Sequence, residues 1–367
     1  MKVYLCFLFI FVNSLSIWAV NKERGEHCVT PDNEFGVCMI LNYCQRVYDA
    51  ITSKNKSNLE FAKKSYCGYD VETLVCCEHP GPVVVDDSRS ISLPSNDVCG
   101  VVKEENRIFG GKLTSIGEFP WMVALEYKKK SNSRDAGIKC GGSLINNEFV
   151  LTAAQCVLHP NLQVTAVHLG EWNITTDPDC QEYVANDLCA DPVLKIKAKE
   201  IISHPLYNSK NKYNDIALIR LEKKIQFTDY IKPICLSSPL LTPPNSGTVM
   251  TSTGWGLTEE AKYSEVLLKV KLPIVSKDIC SSTIGRYQRP IGLHQLCAGG
   301  ELGKDVCVGD IGAPLMRIYE DKENHKMNWY QDGIVSWGAL GCANKGYPSV
   351  YTKIADYFEW ITNIITD

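Results

Sequence analysis

The residues in this chain most ready for covalent chemistry are its cysteines, 17 among 367 residues. That is far too many for a reducing compartment and points to oxidation into disulfides outside the cell. The N-terminus agrees. Lys2 precedes an apolar run from Val3 to Val12, and small residues follow up to Ala19. The layout is that of a signal peptide over residues 1–19, too short to span a bilayer. Cys6 leaves with it, and the other 16 cysteines (17 minus 1) can form eight bridges with no free thiol. No later run is apolar for long enough to cross a membrane, so a soluble, secreted, extracellular protein is expected. Hydrophobic residues at 45% and charged residues at 22% are ordinary for a globular chain. A net charge of -4 gives no reason to expect nucleic acid or an anionic membrane as partner.

Three short stretches carry the remaining chemistry. Asp305-Val306-Cys307-Val308-Gly309-Asp310-Ile311-Gly312-Ala313-Pro314-Leu315 sets two carboxylates and a cysteine among glycines, around a hydrocarbon, Ile311, that cannot attack a carbonyl. Leu151-Thr152-Ala153-Ala154-Gln155-Cys156 holds a primary amide, which cannot take a proton near neutral pH as a general base does. Asn214-Asp215-Ile216-Ala217-Leu218 holds a carboxylate. These stretches resemble the three catalytic motifs of chymotrypsin-like serine proteases. Ile311 stands where that family has its nucleophilic serine, and Gln155 stands where it has its histidine. The survivor, Asp215, only orients a histidine in the working triad, so the expectation is a pseudoprotease and not an enzyme. The Gln155 amide could donate to Asp215 and spare that carboxylate an unpaired burial. His159 lies four residues past Gln155, on the wrong turn to replace it. The backbone N–H groups of Gly309 and Ile311 are expected to be obstructed by the isoleucine side chain.

The resemblance extends around the site. Asp305 matches the carboxylate at the base of the specificity pocket of trypsin-like enzymes, and Ser336-Trp337-Gly338 matches the strand along which substrate pairs. Ser349 replaces a usual glycine and should narrow that pocket; Ala313 replaces another. A specificity-pocket remnant of Asp305, Gly338 and Ser349 follows. Arg107-Ile108-Phe109-Gly110-Gly111 resembles an activation site, cut after Arg107. The freed Ile108 ammonium would then pair with Asp310 as a two-state latch.

Short β-branched segments split by Gly, Pro, Asn and Asp must position these residues: Trp121-Met122-Val123-Ala124-Leu125, Ser143-Leu144-Ile145, Phe149-Val150-Leu151-Thr152 and Ile216-Ala217-Leu218-Ile219. Such spacing argues for an all-β barrel or sandwich. Ile354, Phe358, Ile361 and Ile365 recur at helical spacing and predict a closing helix. The resemblance makes the fold specific: mainly β, a chymotrypsin-like double antiparallel β-barrel over residues 108–366 with a C-terminal helix. A linker with the activation site, residues 78–107, precedes it, rich in proline and serine. Before that, residues 28–77 hold six cysteines, and a unit so small needs such staples. Six cysteines allow fifteen pairings. The terminal Cys76-Cys77 pair resembles the clip domain of arthropod serine proteases, which implies Cys28 with Cys76, Cys38 with Cys67 and Cys44 with Cys77. The long gap between Cys44 and Cys67, with the helix-compatible stretch Leu59-Glu60-Phe61-Ala62-Lys63-Lys64, looks like the clip subgroup common in prophenoloxidase-activating proteases. In the second domain the resemblance implies Cys140 with Cys156, Cys280 with Cys297 and Cys307 with Cys342. It also implies Cys99 with Cys235, holding the parts together after a cut. Cys180 and Cys189 remain and suit a local bridge.

Asn55-Lys56-Ser57 and Asn173-Ile174-Thr175 are glycosylation acceptors. The acidic loop over residues 171–191 (Asp177, Asp179, Glu182, Asp187) matches one near which relatives can bind calcium; the alternative is plain solvation, and no metal or cofactor is assigned. As a whole the chain resembles clip-domain serine protease homologues, the inactive relatives in arthropod immune cascades. That implies a non-enzymatic regulator of prophenoloxidase activation and melanisation. Its partner would be prophenoloxidase or a prophenoloxidase-activating clip protease, met in haemolymph or as a venom component. Both signs stay open, an assisting cofactor or a decoy inhibitor. An adhesion or microbial-recognition protein using the clip and the barrels is the alternative from another class.

Overall fold

The computed structural model describes residues 22, 26–41, 44–53, 55–69, 73–78, 92–102, 113–182, 188–258, 260, 262–284, 289–321, 326–339, 342 and 344–366. The expected signal peptide, most of the linker, the Arg107-Ile108 bond and Asp187 lie outside them. The chain divides into two compact units, Met1–Val84 and Val85–Asp367.

In the first unit four strands form one antiparallel sheet in the order His27–Val29, Phe35–Ile40, Thr73–Glu78, Tyr66–Tyr69. Two helices, Gln45–Thr52 and Lys56–Lys64, fill the gap between Cys44 and Cys67. The second covers the expected helical stretch and is capped by Asn55, whose Oδ1 accepts the Ser57 N–H at 3.0 Å and hydroxyl at 2.8 Å. The first helix has no side-chain cap, and tertiary burial holds it: Val47 and Ala50 pack with Cys44, Ala62 and Val75. The remaining core is largely sulfur, with Cys28, Cys38, Cys67 and Cys76 around Leu74. Bridges Cys28–Cys76, Cys38–Cys67 and Cys44–Cys77 span sequence separations of 48, 29 and 33. Each restricts the unfolded chain by on the order of 3–4 kcal/mol in the loop-closure account, which a sheet this small requires.

The second unit is two seven-stranded sheets, each curled into a barrel. The first runs Leu194–Ile196, Leu162–Leu169, Met122–Lys129, Asp135–Leu144, Phe149–Thr152, Ala217–Leu221, Ala198–Ser203. The second runs Cys235–Leu236, Lys326–Trp337, Pro314–Asp321, Val249–Gly254, Leu268–Val275, Gln295–Gly299, Pro348–Lys353, and closes when the last strand pairs back onto Lys326–Trp337. Among the described residues all strand pairings of this unit are antiparallel except that of Cys235–Leu236. One core runs through both barrels, with Trp121, Phe149 and Leu125 on one side and Tyr351, Leu315 and Ile334 on the other. Polar contacts stitch the seam: Trp121 Nε1 donates to Met316 Sδ at 3.0 Å and Ser143 Oγ to Gln331 Oε1 at 2.6 Å.

Cys140–Cys156, Cys180–Cys189, Cys280–Cys297 and Cys307–Cys342 are bonded within this unit. Cys99–Cys235 ties the segment before the barrels to the second one, where Gly100 N–H donates to Pro233 O at 2.8 Å. At the C-terminus the single helix expected from Ile354 to Ile365 is two elements, a 3-10 turn Ile354–Tyr357 and an α-helix Phe358–Thr366. The tighter turn still buries Ile354, while the Tyr357 hydroxyl reaches Asn214 Oδ1 at 2.7 Å.

Candidate functional site

Three segments meet on the seam between the barrels. Strand Phe149–Thr152 ends, Ala153 stays extended, and the short helix Ala154–Val157 begins, which places Gln155 on its first turn. Asp215 follows Asn214, whose φ of 55° turns the chain; Asn214 tolerates it because Nδ2 donates to Leu206 O at 2.8 Å and Oδ1 accepts from Tyr357. The loop carrying Ile311 is bent by Gly309 and Gly312, with φ of 104° and 87°. A Cβ on Gly312 would lie 2.3 Å from Thr152 Oγ1 and 2.4 Å from Gly141 O, so only glycine lets this loop press onto the first barrel. Gly141 N–H in turn donates to Ile311 O at 2.9 Å.

Gln155 occupies its position as a fixed donor. Its Nε2 donates to Asp215 Oδ2 at 2.6 Å and to Ser336 O at 2.6 Å, and its backbone N–H donates to Asp215 Oδ1 at 2.8 Å. The Ser336 hydroxyl adds a 2.6 Å bond to Asp215 Oδ2. Asp215 is fully buried, and burial pushes its carboxyl above the usual 3.8, opposed by the Ser336 hydroxyl, the Gln155 donors and the Lys212 charge. The amide therefore does for Asp215 what an imidazole N–H would do, and offers no lone pair for a proton. Ile311 is half-buried against the common core and presents only carbon where the loop turns outward. His159 is turned elsewhere: its Nδ1 accepts the N–H groups of Asn161 and Leu162 at 3.2 and 3.1 Å.

Asp310 points away from Ile311, under the second barrel. Its carboxylate accepts Gly256 N–H at 2.8 Å and Cys307 N–H at 2.9 Å. It fills the space that Cβ atoms on Gly254 and Gly256 would occupy. Burial pushes its carboxyl from 3.8 up to about 6, the two backbone donors pull it down, and the Asp305 charge pushes it further up. The proposed partner of this group, Ile108, lies outside the described residues.

In the pocket remnant, Ser349 is buried and its hydroxyl donates to Asp305 Oδ1 at 2.8 Å, an oxygen that also accepts Val306 N–H at 2.9 Å. Ser349 Oγ lies 2.7 Å from where a Gly338 Cβ would be, so the three residues of the remnant are drawn together and the hydroxyl occupies space beside the carboxylate.

Among the described residues of the acidic loop, two carboxylates are tied to hydrogen-bond donors. Asp179 accepts the N–H groups of Trp172 and Asn173 and the Thr176 hydroxyl, and Asp177 accepts Val193 N–H. Glu171 faces His168 Nδ1 at 3.3 Å. Carboxylates committed to N–H donors do not fit calcium, and among the described residues no three His, Cys, Asp or Glu group to hold a metal ion. Asn173 is partly exposed, and its Oδ1 accepts the Thr175 hydroxyl at 2.7 Å.

Sequence reasoning missed several residues beside the site. The Lys212 ammonium meets the Tyr207 hydroxyl, the Arg289 guanidinium lies over the Trp337 ring, and Tyr263 lies against Gly309 with the Lys139 ammonium 5.5 Å over its ring. Lys139 is on strand Asp135–Leu144, Lys212, Tyr207, Arg289 and Tyr263 lie outside the named strands and helices, and no short-range signal marks any of them.

Comparison with known proteins matches both units of the chain. The Trypsin family model matches residues 108–361, and the model for the regulatory CLIP domain of proteinases matches residues 28–77. Phenoloxidase-activating factor 1 of Holotrichia diomphalia is 37% identical, over 98% of this chain and 98% of the relative. Melanization protease 1 of Drosophila melanogaster is 36% identical, over 93% of this chain and 94% of its own length. The crystal structure of the Drosophila Grass clip serine protease of the Toll pathway superposes with a TM-score of 0.63 at 29% identity, covering 94% of this chain and 98% of that one.

Proposed function

This chain belongs to the trypsin family and carries the regulatory CLIP domain of its proteinases, and we propose that it acts among them without catalysing proteolysis. The observation that carries the reading is the hydrogen-bonded Gln155–Asp215–Ser336 cluster beside Ile311. In a triad the base must gain a proton and the nucleophile must lose one; an amide and an alkyl side chain do neither. The carboxylate that would orient a histidine is instead saturated by an amide, which keeps the fold of the site and removes its chemistry. Eight disulfides, all formed, favour a secreted protein.

Relatives named for phenoloxidase activation and melanisation support a role in that cascade, exerted by binding. The partner is prophenoloxidase or one of the clip proteases that activate it, and the protein works in haemolymph or as a venom component, as an assisting cofactor or as a decoy. Cleavage after Arg107 would free the Ile108 amine for the buried Asp310 carboxylate and switch the surrounding loops. Asn55 and Asn173 carry glycans in this reading. The test is phenoloxidase activity in arthropod plasma challenged with a microbial elicitor, titrated with the protein intact and cut at Arg107. A rise that needs the cut form identifies a cofactor, and a dose-dependent fall identifies a decoy. No change with either form rejects a role in the cascade.

A further inference from the structure

Next to the silent triad stand two positive charges, and the negative charge that acts on Lys212 is the buried Asp215. Lys212 and Arg289 are both half-buried, yet among the described residues neither forms a salt bridge. The Lys212 ammonium is 3.2 Å from the Tyr207 hydroxyl, and the Arg289 guanidinium carbon lies 5.4 Å over the Trp337 ring. The two are brought together by design of the backbone around them: Tyr213, next to Lys212, donates its hydroxyl to Pro290 O, next to Arg289, at 2.9 Å. Gln295 Nε2 adds a 3.1 Å bond to Lys212 O, and the Tyr213 ring fills the space beside Gly292. The charges are close enough to act on each other: burial lowers the Lys212 pKa, Asp215 opposes that, and Arg289 lowers it further. Asp215 is buried with its oxygens accepting from Ser336 and Gln155, so it acts on Lys212 through its charge and forms no salt bridge with it among the described residues.

The strand edge is also open beyond Ser336, whose O already accepts Gln155 Nε2 at 2.6 Å. Strand Pro314–Asp321 pairs with Lys326–Trp337 only as far as Ile334, so Trp337 has a ladder partner in Val350 alone among the described residues. An unfilled strand edge accepts an extended chain, and flanking side chains choose which one. Half-buried cations favour a carboxylate that can reach both, since desolvated charge pairs discriminate more sharply than exposed ones. A sulfated polysaccharide would instead call for a broad exposed array, in a chain whose net charge is -4.

We propose that this end of the cleft captures an extended protein segment bearing an acidic side chain, with its carboxylate between Lys212 and Arg289 and its backbone along Trp337-Gly338. This rests on the reading above that the cleft holds a chain without cutting it.

The test uses fluorescein-labelled alanine hexapeptides in which one glutamate, or one glutamine, is walked along the chain. Binding to the full-length protein is followed by fluorescence anisotropy at low salt. At one position the glutamate peptide should bind at least tenfold tighter than its glutamine counterpart. That ratio should fall close to one in the Lys212→Met/Arg289→Met double variant. Should the double variant fail to fold, Arg289→Gln, altered at a half-exposed side chain, should reduce the ratio at least threefold. Equal binding of glutamate and glutamine peptides at every position overturns the proposal, as does a ratio that survives these substitutions. A heparin hexasaccharide that binds tighter than every peptide overturns the assignment to a protein segment. Mass spectrometry of the recovered peptides separates the two readings: cleaved peptide rejects the inactive cleft, whereas intact peptide without glutamate preference rejects only this site.

Discussion

Replacing Asp310 by asparagine probes whether a buried, half-satisfied carboxylate stands ready for a cation. In the intact protein its carboxyl is pushed from 3.8 to about 6, chiefly by burial, while the N–H groups of Gly256 and Cys307 hold it in place. Burial favours the neutral acid, so between pH 3.8 and about 6 the folded protein keeps a proton that the unfolded chain has lost. Stability therefore falls as pH rises through that window and is level above it, by about 3 kcal/mol at most for this one group. Asp215 and Asp332, also raised by burial, titrate in both proteins and drop out of the comparison. The assay is guanidinium unfolding followed by tryptophan fluorescence, disulfides intact, from pH 4 to 7.5, with wild type and Asp310→Asn side by side. The wild type should lose stability on going up this range by about 1–3 kcal/mol more than the variant. Cutting at Arg107 should erase this excess in the wild type, because an Ile108 ammonium beside the carboxylate favours its charged form. Identical pH profiles for intact wild type and variant would refute the burial argument. A profile unchanged by cutting would refute the latch.

Other consequences are as direct. Gln155→Ala leaves the buried Asp215 one charge-assisted donor short and frees Ser336 O, so thermal or denaturant unfolding should show a loss of about 2 kcal/mol. A neutral result would show that water replaces the amide at no cost. Ser349→Gly removes the hydroxyl held 2.8 Å from Asp305, so benzamidine, a probe of an arginine pocket, should bind at least tenfold tighter by calorimetry than to wild type. Equal affinity would show that something other than Ser349 closes the pocket. Paired Cys99→Ser/Cys235→Ser removes a bridge with a sequence separation of 136. After a cut at Arg107 and without reductant, this variant should release residues before the cut on gel filtration, whereas wild type stays joined.

Much of the site was legible because its motifs are local. Gln155, Asp215 and Ile311 each sit in a run of five or more residues whose neighbours, Thr152, Asn214 and Gly312, fix the backbone at that point. The donors that hold Asp215 were only half visible: Gln155 is 60 residues away and could be guessed, but the Ser336 hydroxyl, 121 residues away, could not. The same limit hid Lys212 and Arg289, which are juxtaposed by a bond between Tyr213 and Pro290, 77 residues apart. In the clip unit the helix Gln45–Thr52 lacks a capping side chain and is held by burial, so propensity alone did not mark it. The C-terminal period marks one apolar face, but the step from 3-10 to α at Phe358, beside the Tyr357 bond to Asn214, carries no local sequence signal.

The most direct test of the central claim is turnover. Purified protein cut at Arg107 should be incubated with an arginine p-nitroanilide peptide and, separately, with a thiobenzyl ester, which needs less catalytic assistance. A cleft with the Gln155 amide bonded to Asp215 and an isoleucine at 311 predicts product release at the rate of buffer alone in both assays. Release that co-elutes with the protein on gel filtration and disappears in the Asp215→Ala variant would contradict it.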